Sequence, residues 1–509
     1  MEAYVRSHRD DFAGARSQFE SAMNAFGTAE VMGMHHDELE RLAVDEGRRL
    51  ACALLQDHLT LRSLQETRRP CVVGRDDVAR THVRDCSRPL LTLVGEVTIE
   101  RLEYSKPGAH ALRPLDAALN LPAERYSFEV RRKAAVECSK GSFDEAVEAL
   151  RTSTGAPVPK RQVEELARRA GNDFEAFYAL RTPQPGSSTS LMVLSFDGKG
   201  IAMRHEDLRK ETRQRAAKFK RKLQTRLCKG EKRHRKRMAQ VAAVYDLEPH
   251  ERTSADVVAD LRPARDAAVK RTRPRAQNKR VWASANQEAE DVIFAAFEEA
   301  ERRDPLHQRR WVVLVDGEVT QLERVQACAD GFGADVTIVL DIIHLIEYLW
   351  KAGRCFCAED STELEQWVNE HLLRVLEGES SGVAGGIRRS ATKRGLKGQA
   401  REHVDECAEY LLNKTALVRY NEFMRDGLPI ATGVIEGACR HLIQDRMGRT
   451  GARWSLEGAE AILRLRSIRS SGDFDEYWRF HLEKERQRNH LYHYRVPPLE
   501  PPKLRLIRS

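Results

Sequence analysis

The amino-acid sequence predicts an α/β fold, a helix-covered sheet containing parallel strand pairs, preceded by a largely helical region. Two observations carry that reading. The runs Leu191–Leu194, Trp311–Val315 and Val336–Leu340 are short, continuously apolar and rich in Val, Ile and Leu, the pattern of strands buried on both faces. Elsewhere the apolar residues recur at helical spacing, as in Leu364, Trp367, Leu372, Leu373 and Leu376.

A chain of 509 residues is long enough for roughly two to four domains with cores of their own. With 41% apolar and 32% charged residues it reads as a water-soluble globular protein. The net charge of +8, from 85 bases against 77 acids, is modest, so where the positive charge lies matters more than its sum. Aromatics at 6% argue against a surface built to stack single-stranded bases. The ten cysteines include no Cys-x-x-Cys pair, which fits reduced thiols in a cytosol better than a disulfide framework. Glu2, Arg6, His8, Arg9, Asp10 and Asp11 leave no apolar core for a secretory signal. The longest apolar stretch, Ile338–Trp350, is broken by Asp341, His344 and Glu347, which a bilayer would disfavour. The expected location is therefore cytoplasmic, away from membranes.

Residues 1–90 are expected to form a helical N-terminal region. Leu39, Leu42, Leu50, Leu54, Leu61 and Leu64 mark an amphipathic helix that packs on a neighbour or on a second subunit. Residues 91–185 combine a strand pair around Leu91–Tyr104, with Gly95-Glu96 as its turn, and a helix-turn-helix-like segment. There Ser142-Phe143-Asp144-Glu145 has the capping-box form, and the helix it opens should end near Gly155. A further helix starting around Pro159 would present Lys160, Arg161 and Gln162 at its N-terminus, where recognition helices meet DNA. An ordinary helical hairpin accounts for the same residues equally well.

Each of the three apolar runs leads to an aspartate: Asp197, Asp316 and Asp341. Ligands bind at the C-terminal ends of such strands, and neighbouring strands are only about 4.8 Å apart, close enough for two carboxylates to share a cation. Asp197-Gly198 and Asp316-Gly317 are also ordinary turn dipeptides. Glu436 lies beside a helical stripe of Ile435, Ala438, Cys439, Leu442 and Ile443, so it faces the seam between helix and sheet. A surface pair with Arg440, worth about 0.2–0.5 kcal/mol, is the competing account.

Several blocks together carry a resemblance. They are Ser195-Phe196-Asp197-Gly198-Lys199-Gly200, Val315-Asp316-Gly317-Glu318, Asp341-Ile342-Ile343-His344, and above all Gly433-Val434-Ile435-Glu436-Gly437-Ala438-Cys439-Arg440. The last continues through Arg446-Met447 to Arg453-Trp454-Ser455, and Pro114-Leu115-Asp116 with Leu119-Asn120-Leu121-Pro122 adds to it upstream. Over most of its length the chain resembles the ISKra-type transposases of bacterial insertion sequences. The resemblance implies a ribonuclease-H-like mixed sheet flanked by helices over residues 190–349 and 430–470, interrupted by a helical insertion over 350–429. It implies Asp197, Asp316 and Glu436 as the acidic triad, catalytic and metal-binding. Asp341 and His344 resemble the Asp-x-x-His found near the site in Mutator-like relatives, although a packed histidine explains His344 as well. Relatives often carry paired cysteines near the early strands; here Cys71 and Cys86 stand alone, which argues against an N-terminal zinc. Cys355 and Cys357 lack a second pair, so reduced thiols are expected there too.

Carboxylate oxygens are hard ligands suited to Mg²⁺ or Mn²⁺, and the expectation is two ions per active site. Asp197 would bridge the ions, with Asp316 and Glu436 each completing one. The expected activity is metal-dependent cleavage and strand transfer on double-stranded DNA, both transposon ends and target. Pairing two ends needs two active sites, hence a homo-oligomer, at least a dimer. A non-catalytic DNA-binding protein derived from a transposase, or a nuclease without strand transfer, are the alternatives. Gly198-Lys199-Gly200 lacks the pattern of a phosphate-binding P-loop, which excludes a nucleotide-driven reading.

The basic charge concentrates in an insertion at 204–238, including Lys218, Lys220, Arg221, Lys222, Arg233, Arg235, Lys236 and Arg237, just before an expected strand at Gln240–Leu247. Such a segment tracks a DNA backbone or is a solvated arm. Arg440, Arg446, Arg449 and Arg453 follow Glu436 closely enough to hold phosphates, or to pair with Asp445 and Glu457. Residues 471–509 read as a charged C-terminal tail.

Overall fold

The structure is a computed structural model, and it describes residues 11–218, 235–261, 273–449 and 451–496. The chain divides into two units, one formed by Met1–Ala179 with Phe474–Ser509 and the other by Leu180–Asp473.

In the first unit, helices α1 (Ala13–Phe26) and α2 (His36–Leu64) precede a three-stranded antiparallel sheet of β1 (His82–Thr92), β2 (Gly95–Lys106) and β3 (Ala109–Leu112). Leu59 of α2 packs against Leu90, Val97, Ile99 and Leu121, so the helix buries one face on the β1–β2 hairpin. The expected turn at Gly95-Glu96 is displaced. Thr92 pairs with Gly95, so Leu93 and Val94 form the turn, and Gly95 opens the return strand at φ +137°. Only glycine takes that value readily. The boundary expected at residue 90 therefore cuts through β1.

Helices α3 (Phe128–Lys140), α4 (Phe143–Thr154) and α5 (Lys160–Ala170) follow. The capping box holds as read: Glu145 N–H donates to Ser142 Oγ at 3.1 Å and Ser142 N–H to Glu145 Oε2 at 2.6 Å. Gly155 ends α4 in the left-handed conformation. Pro159 is the residue before α5 rather than its first. Lys160, Arg161 and Gln162 are exposed, and Lys160 pairs with Asp144 at 2.8 Å.

The second unit holds a five-stranded mixed sheet. Its strands are β4 (Leu191–Ala202), β5 (Lys236–Leu247), β6 (Gln277–Ser284), β7 (Trp311–Val315) and β8 (Val336–Leu340), in the order β8-β7-β4-β5-β6. The pairs β4–β5 and β5–β6 are antiparallel, and β4–β7 and β7–β8 are parallel. Trp311–Val315 is buried throughout, as is Leu191–Phe196. Helix α6 (Lys210–Lys218) leads into the undescribed part of the basic insertion. Helix α7 (Ala289–Arg303) returns the chain from β6 to β7, and α8 (Val319–Phe332) joins β7 to β8, as parallel pairs require. Helix α9 (Ile342–Gly353) follows β8, and the stretch expected as an insertion, 350–429, is helical beyond it: α10 (Thr362–Leu376), α11 (Ser380–Lys393) and α12 (Gly398–Asn413). Then come α13 (Gly433–Ala438) and α14 (Leu456–Ser471), the latter hydrogen-bonding β6 where Ser467 Oγ accepts from Ala283 N–H.

The last described helix, α15 (Phe474–Asn489), corrects the reading of 471–509 as a mere tail. It belongs to the first unit, where Glu485 pairs at 2.6 Å with Arg131, a fully buried side chain that also meets Glu124. His481, also fully buried, bonds Asp173 at 2.6 Å. Of the charged residues of α15, Glu485 and His481 are the ones taken into buried pairs, while Asp475, Glu476, Arg479 and Glu483 stay exposed. Among the described residues no helix is long and apolar enough to cross a membrane.

Phe297 on α7 is fully buried, with the rings of Trp311 and Phe332 6.2 and 6.0 Å away. Phe297→Ala should cost about 3–5 kcal/mol in urea unfolding of the second unit. A loss below about 1 kcal/mol would contradict this packing.

Candidate active site

The parallel registers decide where the acids lie. Ser195 is opposite Leu314, and Leu340 is opposite Val315. Counting one or two residues onward brings Asp197, Asp316 and Asp341 to one level on three neighbouring strands, about 4.8 Å apart from strand to strand. Asp341 N–H donates to Val315 O at 2.8 Å, extending the pairing by one residue. Asp197 is not at a strand end, as the apolar run suggested, because β4 continues to Ala202 with Asp197 opposite Val241. Neither Asp-Gly dipeptide is a hairpin turn. Gly317 has φ +88° and leads into α8, and a Cβ there would come within 2.6 Å of Leu340 Cδ1.

Asp341 is wholly buried, and its carboxylate joins two segments. It caps α9 by accepting from Ile343 N–H at 3.1 Å, and it accepts from both Thr432 N–H, at 3.3 Å, and Thr432 Oγ1. Ile342 N–H donates to Ile430 O at 2.9 Å beside it. Thr432 O in turn accepts from Glu436 N–H at 3.0 Å, so the clasp sets the start of the Glu436 helix. That helix widens to π geometry over Cys439–Gln444, a distortion frequent at functional sites.

Asp197 Oδ1 accepts from Gly198 N–H at 2.6 Å, and its Oδ2 accepts from the Cys439 thiol at 3.0 Å, one helical turn beyond Glu436. Burial and the Asp197 charge push that thiol well above the usual range. Glu436 is itself exposed, yet partial burial and the charges of Asp341, Asp197 and Glu347 raise its carboxyl above the usual value, with His344 opposing. Asp197, Asp341 and Glu436 thus share one negative field. Asp316 joins them through strand register rather than through a direct bond. Its Oδ1 accepts from Glu318 N–H at 2.9 Å, and its backbone O accepts from Tyr410 Oη at 2.9 Å. Tyr410 stacks on Tyr348 at 4.1 Å. His344, in the first turn of α9, is partly exposed and 3.9 Å from Glu347.

Among the described residues no three His, Cys, Asp or Glu side chains stand close enough, as they are, to hold one ion. The donor chemistry of Asp197, Asp316 and Glu436 nonetheless fits a hard divalent cation, because the like charges that raise Glu436 are what a cation would relieve. The competing Glu436–Arg440 pair does not form among the described residues; Arg440 Nε lies 3.7 Å from Asp445 instead.

The basic residues separate into two kinds. Arg440, Arg449 and Arg453 are exposed, as are Lys218 and Lys236. Arg446 is not available as a phosphate contact: it is buried and stacks on Trp454 at 4.7 Å. Trp454 pairs in turn with the end of β4, its N–H reaching Ala202 O at 3.0 Å, and Ser455 caps α14. Arg237 is committed to the backbone oxygens of Ala285 and Asp207, at 2.6 and 3.2 Å, while Arg235 is half-buried just before β5. Lys220, Arg221, Lys222 and Arg233 lie outside the described residues. Sequence reasoning missed Thr432, Cys439, Tyr410 and Glu347. For Cys439 and Glu347 a signal existed, since each sits three residues from a residue already singled out. Thr432 and Tyr410 carried none. No protein-family model matches the chain, and no curated protein shows significant similarity to it.

Two outcomes follow from this geometry. Thr432→Val removes a hydroxyl donor from a buried carboxylate and should cost about 1–3 kcal/mol in chemical denaturation, with Thr432→Ser retaining most of the stability. An NMR titration should find the Glu436 carboxyl protonating, as pH falls, earlier than an ordinary glutamate. Added Mg²⁺ should move that titration down, since cation and proton compete for the carboxylate; a titration indifferent to Mg²⁺ would exclude Glu436 as a ligand.

Proposed function

We propose that this chain is a DNA transposase of the bacterial insertion-sequence kind, similar to the ISKra-type enzymes, whose second unit is a ribonuclease-H-like catalytic domain. The observation that carries this reading is the sheet order β8-β7-β4-β5-β6, in which β4, β5 and β6 run in antiparallel succession and β7 and β8 run parallel to β4. Carboxylates sit at one level on adjacent strands, and a further one, Glu436, comes from a later helix. That arrangement suits phosphoryl transfer on a polyanion.

Asp197, Asp316 and Glu436 would hold the divalent cations, Mg²⁺ or Mn²⁺. Bound there, the cations would activate the attacking oxygen and offset charge on the leaving one. The chain's own residues do the rest. The Asp341–Thr432 clasp orients the Glu436 helix against Asp197. Arg440, Arg449 and Arg453 present exposed cations just beyond it, where they can neutralise backbone phosphates. Lys218, at the end of α6, and Lys236, at the start of β5, flank the undescribed part of the basic insertion. In the first unit, Lys160, Arg161 and Gln162 at the start of α5 would meet double-stranded DNA at the element's ends. Two ends brought together imply a homo-oligomer, working in the bacterial cytoplasm on the nucleoid.

Supplying a pre-nicked terminal duplex with Mn²⁺ tests the proposal. Joining of the free 3′-hydroxyl to a second duplex is expected, and Asp316→Asn and Glu436→Gln should abolish it while leaving duplex binding intact. Cutting without joining would make the chain a nuclease, and binding alone would make it a non-catalytic regulator. An Asp316→Asn protein that still joins strands would remove Asp316 from the site.

A further inference from the structure

We propose that a cleft in the first unit, between the β1–β3 sheet and the segment Asn489–Tyr494, binds a phosphate group. The cleft has a volume of about 310 Å³ and is lined by Arg88, His110, Arg113, Asp116, His490 and His493 among others. It lies outside the carboxylate site and does not depend on the transposase reading.

The lining holds more hydrogen-bond donors than the protein satisfies. Arg88 spends one terminal nitrogen on the backbone oxygens of Pro122 and Glu124, at 2.9 and 2.7 Å. Its other terminal nitrogen lies 4.0 Å from Asp116, beyond hydrogen-bond reach. Arg113 meets Glu103 through one terminal nitrogen and also engages Cys86, while its buried Nε has no hydrogen-bond partner among the described residues. The rings of His110 and His493 stand 5.1 Å apart at an interplanar angle of 33°, and neither has a hydrogen-bond partner among the described residues. His490 is buried and engages Leu121 O at 2.7 Å through Nε2. The one lining carboxylate, Asp116, is already held by Arg101 Nε at 2.7 Å. Two guanidinium groups and two unengaged imidazoles therefore face the space, with a single neutralised acid.

A buried donor left unmatched is unfavourable, and an oxyanion supplies the missing acceptors in charge-assisted bonds. A divalent metal would suit the two imidazoles but not the adjacent guanidinium groups. A phosphate suits all of them, whether it is a DNA backbone phosphodiester or free inorganic phosphate. The site also carries a pH signature. His110 is held below the usual histidine range by burial and by His493, Arg113 and Arg80, with Glu103 opposing. An anion beside His110 favours its protonated form, so binding takes up a proton there and tightens as pH falls.

Titration calorimetry of the full chain with inorganic phosphate tests the proposal, run below and above the histidine range. Binding is expected, stronger at the lower pH, and weakened about tenfold or more by His110→Ala combined with His493→Gln. His110 is exposed, so the fold should survive, and an unchanged thermal transition checks that. Duplex DNA binding across a salt series identifies the source. A salt slope reduced by about one in the double variant makes the ligand a backbone phosphate, and an unchanged slope makes it free phosphate. The proposal is overturned if the unmodified chain binds no phosphate, or if the double variant binds it equally well.

Discussion

Asp341 is the constraint on which the second unit turns. Its carboxylate is wholly buried and has no cationic partner beside it in an ion pair among the described residues; its hydrogen bonds come from Ile343 and Thr432. A carboxyl group buried in such a place is tolerated only while those donors stay put. The segment before α13 is consequently tied to the end of β8, and a helix some ninety residues later in the chain is docked against the sheet.

The opposing tendency comes from the carboxylates themselves. Bringing Glu436 toward Asp197 and Asp341 places like charges together, and Glu436 responds by holding its proton more tightly. The thiol of Cys439 softens the repulsion by donating to Asp197, without adding charge. Such crowding has no evident structural benefit. It is the kind of local conflict that proteins keep where a ligand resolves it.

Much of the fold was legible in the sequence, since continuous apolar runs and capping signals act locally. The strands at Leu191, Trp311 and Val336, the long helix ending at Leu64, and the Ser142 capping box were all readable for that reason. The errors arose where tertiary context overrides local pattern. Asp197 was expected at the end of its strand but is interior to β4, because pairing with β5 carries the strand on to Ala202. Residues 471–509 read as a charged tail, because the buried partners of Glu485 and His481, Arg131 and Asp173, are distant in sequence. At the candidate site the acids announced themselves by type and position. Thr432 and Tyr410 act only through contacts made by folding, and nothing in their neighbourhood marks them. Arginine was the least readable residue. Arg446 and Arg440 look alike in the sequence, yet one is buried on Trp454 and the other is exposed.

Anomalous diffraction from crystals grown with Mn²⁺ tests directly whether the acids on β4 and after β7, together with the acid of the late helix, hold a cation in common, as proposed. Manganese bound jointly by the side chains of residues 197, 316 and 436 is the expected result. Manganese bound elsewhere, with those three carboxylates left without metal, would contradict it.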